Sequence, residues 1–511
     1  MTYYALANPL CRILDKTPDT FTRNDLIGVI EKKNIERVTF HYTALDGKLK
    51  ELKIPVTGRG IAERILAEGE RVDGSSLFKG MVDTGLSDLY VVPVYKSAFL
   101  NPFDEHSLDF ICRYLGPDGN PAPFAMDNVL HAAYELFKKN CGMELHAMGE
   151  LEFYLLSRDE EAMYHASKQK GYHASAPFIK SGPILNEMMH HIAQITGSVK
   201  YAHSEVGYVE HVFSQSDEIR GRQGEQLEIE FLPTHITDAA DHLVLARWLI
   251  RNIAHRNGCV ATFAPKIEEG VAGSGLHVHM ELIRNGKNIM RNAQAELSSE
   301  AKKIIGGLCT YADTLTAFGN TTAASYLRLV PDQEAPTRVC WSDLNRSAMI
   351  RVPLGWSKIN HLARKLNPNE LEAAEVLSNA QTIELRTPDG SALIHLLLAG
   401  ITMAAEWGLT HTESLQRAES LYVKGNIFKD KELLARLPSI PRSCVESSQS
   451  LDEKREFYQR NNVFPPSVID YITKLLRAEN DEILNKSLGE LPPDERLGET
   501  RKIMHKDLHR H

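Results

Sequence analysis

The chain has few cysteines and no two of them in a C-x-x-C spacing. The seven it has are Cys11, Cys112, Cys141, Cys259, Cys309, Cys340 and Cys444, scattered through 511 residues. An odd, dispersed set predicts neither a disulfide framework nor a zinc site, and it fits a reducing cytoplasm. Positive charge is in deficit: 58 Lys and Arg against 67 Asp and Glu leave a formal net charge of -9. That excludes a general binder of nucleic acid or anionic membrane. Long apolar runs are missing too. The most apolar, "ALIHLLLAGITMAAEWGL" from Ala392 to Leu409, is broken by His395 and Glu406, and predicts a buried helix rather than a membrane span. At the start of the chain Pro9 and Arg12 precede any signal-length apolar core, so no secretory leader is expected. The common nucleotide and metalloprotease motifs are also absent. There is no G-x-x-x-x-G-K-[ST], no complete G-x-G-x-x-G and no H-E-x-x-H. If phosphate is handled, metals and arginines must do it.

What remains is an ordinary globular composition, 43% hydrophobic and 24% charged, in a chain long enough for more than one domain. "ERVTFHYTALDGKLKELKIPV" predicts two strands joined by a hairpin turn at Asp46-Gly47. "SDLYVVPV" predicts another strand. The Pro- and Gly-rich "GPDGNPAP" (116–123) marks a boundary, giving an N-terminal unit of residues 1–118 and a larger one of 119–511. Beyond Met126 helix and strand patterns alternate. "TDAADHLVLARWLIRNIAHRNG" predicts a helix capped by Thr237 or Asp238 and ended by Gly258. The C-terminal part reads as helical and charged, without repeats.

One oddity recurs. In "GELEFYLL", strand alternation puts Glu150 and Glu152 on one face and Leu151, Phe153 and Leu155 on the other. "EQLEIEF" does the same with Gln226, Glu228 and Glu230 against Leu227, Ile229 and Phe231. "GSGLHVHMEL" gathers His277, His279 and Glu281. "TIELRTPDG" pairs Glu384 with Arg386. A single such segment is an antiparallel strand with a wet face. Four of them carry almost only carboxylate and imidazole, and adjacent carboxylates repel unless protonated or neutralised by a cation. An oxygen-rich donor set with an occasional histidine suits Mg²⁺ or Mn²⁺. Arginines stand ready for phosphate or carboxylate: Arg328 in "SYLRLVPDQEAP", and Arg346 and Arg351 in "LNRSAMIRVP".

At these residues the chain resembles the glutamine synthetase family, nearly from end to end. The segments that carry the likeness are "VDGSS", "GELEF", "GSGLHVH", "RLVPDQEAP", "NRSAMIRVP" and "IELRTPD". The resemblance implies an α+β fold, with an N-terminal β-grasp domain and a catalytic domain whose curved antiparallel sheet is flanked by helices. It implies a homo-oligomer of two stacked rings, a dodecamer, with each active site between neighbouring subunits. The implied substrates are glutamate, ammonium and ATP, with two or more Mg²⁺ or Mn²⁺ per site. Carried over residue by residue, one metal site is Glu152, Glu205 and Glu228, and the other Glu150, His277 and Glu384. Glutamate is held by Glu152, Gly273, Arg328 and Arg386. ATP phosphates meet His279, Arg346 and Arg351. Asp73 of an adjacent subunit forms an ammonium pocket with Tyr172, Glu205 and Glu334, and Glu334 rides a flap. Glu205 is followed by a link longer than the family's, "YVEHVFSQSDEIRGRQGE", which leaves Glu218 as its alternative.

The chain departs from the family pattern in four places. Ala272 stands where the family has an asparagine that touches glutamate. The tryptophan after "DGSS" is missing. Phe428 occupies the position of an adenylylated tyrosine, so no adenylylation is expected there. "HLARKLNPNELEAAEVLSNAQ", between Arg351 and Glu384, reads as a surface insertion. The function implied is ATP-dependent joining of glutamate and ammonia through γ-glutamyl phosphate. The alternatives are a γ-glutamyl ligase using an organic amine, such as a polyamine or alkylamine, and a non-catalytic relative. Retention of Asp73 favours ammonium, and retention of the ligand set with Glu334 and Arg346 favours catalysis.

Overall fold

A computed structural model describes residues 3–158, 168–330, 335–355, 362–370 and 381–510. The fold is α+β, built on two sheets. The first contains β1 (Arg37–Thr43), β2 (Leu49–Pro55), β3 (Glu70–Asp73), β4 (Asp88–Pro93), β5 (Phe99–Leu100) and β6 (Ser107–Leu115). β1 and β2 form the expected antiparallel hairpin, with Val38 opposite Ile54 and Thr43 opposite Leu49. Gly47 turns it at φ 75°, where a Cβ would be disfavoured. β1 also pairs in parallel with β6, and the order runs β2-β1-β6-β4-β3 with β5 beside β6. Leu26, Ile30, Ile65 and Leu66, from the helices Arg23–Lys33 and Arg59–Glu68, bury one face of this sheet.

The second sheet contains β7 (Glu144–Ser157), β8 (Val199–Val209), β9 (Gln223–Phe231), β10 (Thr234–His235), β11 (Val260–Thr262), β12 (Leu276–Arg284), β13 (Lys287–Asn288), β14 (Trp341–Asp343), β15 (Ile350–Val352) and β16 (Ile383–Leu385). Its main path runs β14-β15-β16-β12-β7-β9-β8. All neighbours on that path are antiparallel except β14 and β15. The four alternating segments of the sequence are its central strands β7, β9, β12 and β16. Leu151, Phe153, Leu227, Ile229, Leu276 and Val278 join one core with the helices Met126–Cys141, Ile236–Arg256 and Ile394–Thr410. The opposite face of the sheet is left to the charged side chains.

The helix expected from Thr237 or Asp238 starts earlier, at Ile236, with His235 at the cap position and no side-chain cap bond. Ile236 is fully buried, and its burial draws the first turn back. Thr237 is therefore already inside the helix, and its hydroxyl lies 2.8 Å from His235 Nδ1. Asn257 and then Gly258, at φ 69°, end the helix. The apolar run near residue 400 is the buried helix Ile394–Thr410, and both its polar interruptions are partnered. His395 Nε2 lies 3.2 Å from Asp241, and Glu406 accepts from Asn140 at 2.7 Å and from Arg460. Among the described residues no helix is long and apolar enough to cross a membrane.

Candidate active site

The charged face of the second sheet floors a cavity of about 800 Å³. Strand register builds it in rows. Arg351, Glu384 and His279 lie opposite one another on β15, β16 and β12. His277, Glu150 and Glu230 do so on β12, β7 and β9. Glu152, Glu228 and His203 do so on β7, β9 and β8. Because neighbouring strands are about 5 Å apart, each row brings its side chains within bonding reach.

The first group is Glu150, His277 and Glu384, which offer ligand atoms all within 4.8 Å of one another. His277 Nδ1 and His279 Nε2 hold the two Glu150 oxygens at 2.7 and 2.9 Å. His279 Nδ1 bonds Thr382 Oγ1 at 2.9 Å. Burial pushes the Glu150 carboxyl up, but the two imidazoles overcome it and hold the group well below the usual range. In His279, burial pulls the other way and loses to the charges of Glu150, Glu384 and Glu230, so the imidazole is held protonated more strongly than usual. Arg351 and Arg386 donate to Glu384 at 2.8 and 2.9 Å.

The second group is His203, Glu205 and Glu228, with Glu150, Glu228 and Glu230 beside it, each set again within 4.8 Å. Here like charge accumulates. Glu228 is buried against Glu150, Glu152 and Glu205, and burial first, then those charges, push its carboxyl up to about 11. Its basic neighbour is His203, at 3.7 Å. Burial and Glu150 also raise Glu230, although Lys200 reaches it at 2.6 Å. Glu152 stands slightly apart: one of its oxygens accepts the Gly275 N–H at 2.7 Å and Gln226 Nε2 at 3.2 Å. The structure thus groups Glu205 and Glu228 with His203 rather than with Glu152.

Arg328, Arg346, Arg351 and Arg386 all line the cavity, as do Gly273, Ala272 and Phe428. Arg328 comes from the helix Ala323–Arg328 and donates to the Thr387 carbonyl at 3.0 Å. Tyr172 lines it too, half exposed, with its ring against those of His173 and His203. Burial works against the Arg346 charge, but the Tyr172 hydroxyl and the charges of Glu205 and Glu384 more than restore it.

One expected residue, Asp73, is not among those that line this cavity. Asp73 ends β3 in the first sheet, exposed, and its carboxylate accepts from Ser76 Oγ, Ser75 Oγ and the Ser75 N–H at 2.6, 2.7 and 2.9 Å. Those bonds lower it to about 2. Glu334 lies outside the described residues, as does part of the expected insertion between Arg351 and Glu384. Glu218, the alternative to Glu205, is on the surface, paired with His509 at 2.9 Å. Sequence reasoning did not single out His203, Lys200 and Glu230 for the site. Glu230 shares the alternation of Glu228, and His203 lies two residues before Glu205, so both carried a readable signal.

Similarity to known proteins follows the same map. The profile "Glutamine synthetase, catalytic domain" matches residues 128–488, and "Glutamine synthetase, beta-Grasp domain" matches residues 34–117. Glutamine synthetase of Aquifex aeolicus is 28% identical over 491 residues, spanning 91% of this chain and 96% of that protein. Plasmodium falciparum glutamine synthetase, solved by cryo-electron microscopy, superposes with a TM-score of 0.71 at 22% identity, over 93% of this chain and 98% of that one. Apo GmaS superposes with a TM-score of 0.69 at 20% identity, with the same coverage. Matched through most of its length by both profiles, the chain belongs to the glutamine synthetase family of ligases.

Proposed function

We propose that the protein joins glutamate to ammonia at the expense of ATP, through γ-glutamyl phosphate. The observation that carries this reading is the pairing of a carboxylate surplus around Glu228 with four arginines over one cavity. The donor set fits divalent cations. It is mostly carboxylate oxygen with at most one imidazole per group, and its charge is crowded beyond what burial permits without a proton or a counter-ion. Glu150, His277 and Glu384 would hold one ion, and Glu205 and Glu228 with Glu152 or His203 the other. Bound there, the ions would neutralise phosphate charge and polarise the transferring group.

The protein's own part is orientation and charge. Arg346 and Arg351 face the phosphates and share the charge that builds on the transferring group, with His279 beside them. Arg328, Arg386 and the Gly273 main chain orient glutamate so that its γ-carboxylate meets the γ-phosphate of ATP. Ammonium arrives without a lone pair. Asp73 of an adjacent subunit, Tyr172, Glu205 and Glu334 attract it, and a carboxylate takes its proton before it displaces phosphate.

A second reading keeps the chemistry and exchanges ammonia for an organic amine. Ala272 favours it, as do the exposed rings of Tyr172 and Tyr201 beside His203. Overall fold does not choose, because glutamine synthetase and GmaS superpose about equally well. Phosphate release with glutamate, ATP, Mg²⁺ and a panel of amines separates the readings. Release that depends on ammonium supports the first. Release with an alkylamine or polyamine but not ammonium replaces it with the second, and release that ignores the acid removes both.

A further inference from the structure

Residues beyond 488 lie outside both matched profiles, yet they end against one half of the cavity wall. The helix Pro493–His505 runs beside the segment that leads to Ala272 and Gly273. Arg501 Nε donates to both Glu268 oxygens, at 2.9 and 3.2 Å. His505 Nε2 lies 2.8 Å from the Ile267 carbonyl, and Thr262 Oγ1 donates to the Leu508 carbonyl at 2.9 Å. Arg496 reaches Glu269 at 3.3 Å. Leu508 is buried in a small apolar cluster with Ala264, Ile267 and Val271. Ion pairs, main-chain bonds and apolar contact therefore fix the same few residues.

The same stretch also reaches the facing wall, where it shares a carboxylate with it. Lys506 and Arg510 each donate to Glu479 at 2.6 Å, and Glu479 accepts the Ala323 N–H at 3.1 Å. Ala323 opens the short helix that ends in Arg328. Burial pushes the Glu479 carboxyl up, but Lys506 and Arg510 overcome this and keep it low. The two walls touch. A Cβ on Gly273 would stand 2.5 Å from the Pro265 carbonyl oxygen and 3.0 Å from Arg328 Cγ, so a shift on either side is felt on the other. With no polar side chain at Ala272, recognition at this end falls to main-chain groups and to Arg328 and Arg386. Their placement then decides how well the acid is held.

We propose that the C-terminal helix is a strap that positions the acid-substrate end of the cavity, with Arg501 and Glu479 as positioning residues that never touch substrate. This rests on the function proposed above. The test uses the full chain with Arg501→Ala, Glu479→Ala and the conservative Arg501→Lys. For the two alanine variants, KM for glutamate rises about five- to tenfold and KM for ATP stays within about twofold. Arg501→Lys recovers most of the loss. Amide hydrogen exchange speeds up in 264–275 and 323–328 and not in β7. Equal shifts in both KM values overturn the proposal, as does unchanged exchange in either segment of a folded variant. Exchange is read without substrates, so it judges the strap even if the wild-type protein fails to turn over glutamate. That failure would remove the function reading instead.

Discussion

Two of the buried charge clusters among the described residues are built differently. One joins the N-terminal sheet to the helices behind the second sheet. Arg113 of β6 donates to Asp241 at 3.2 Å and lies 3.6 Å from Asp127, and His395 meets Asp241 at 3.2 Å. Two carboxylates face two basic groups. Burial pushes Asp241 up, but Arg113 and His395 overcome it and hold the carboxyl far below the usual range. The other cluster floors the cavity, where Glu228 meets three further glutamates and is pushed up to about 11. A matched buried cluster is a fastening, costly to break. An unmatched one that opens onto a cavity must take up a proton or a cation. The contrast separates structure from function among residues of the same kind.

The comparison breaks first at Glu150, which belongs to two of the groups that could hold a cation. Glu150→Ala is expected to lower turnover by about 10³-fold, with the fold intact by circular dichroism. A variant retaining a tenth of wild-type activity would place the cluster among the fastenings. Asp241→Asn should do the reverse. It leaves Arg113 short of a buried partner and costs about 3 kcal/mol in chemical denaturation, while residual activity of the folded protein stays near wild type. Asp73 belongs to the first sheet but is proposed to complete a neighbour's cavity. Asp73→Ala should therefore raise the ammonium concentration needed for half-maximal rate about tenfold, while stability falls only by the loss of a cap, about 1 kcal/mol. Unchanged ammonium dependence would return it to the role of a turn residue.

The smallest effect concerns pH, and its sign differs between the clusters. Asp241 is depressed, so its contribution is present above the ordinary carboxylate range and lost in acid. Glu228 is raised from 4.5 to about 11. The folded state then holds a proton that the unfolded chain releases, and this contribution is full below pH 4.5 and lost as pH rises toward 11. In chelator, stability should fall between about pH 5 and about 9, and Glu228→Gln should flatten that slope and gain about 1 kcal/mol at the upper end. A slope that is identical in both proteins would show that Glu228 ionises freely.

Much of this was legible in the chain. Period-two alternation in "GELEFYLL", "EQLEIEF", "GSGLHVHMEL" and "TIELRTPDG" located four central strands and their charged face, because one face had to supply the core. The hairpin at Asp46-Gly47 was legible from its turn residues, because Gly47 takes a positive φ that the turn requires. Less was legible around Glu205. Pairing of β8 with β9 shifts register between Ser204 and Tyr208, and in such a bulge successive side chains no longer alternate strictly. His203 and Glu205 face the cavity across that irregularity, and local pattern does not show how they group with Glu228. The helix start at Ile236 was hidden likewise, since burial of one isoleucine outweighed the available caps. The contacts of the C-terminal helix join residues more than 200 positions apart in sequence, beyond any local signal.

The central claim is that the surplus of carboxylates is a seat for divalent cations. Titration of the purified, chelator-stripped protein with Mn²⁺, read by electron paramagnetic resonance, tests it most directly. The account predicts two saturable ions per chain, one of them lost in Glu384→Gln and the other in Glu205→Gln. No saturable binding, or binding unchanged by both substitutions, would contradict it.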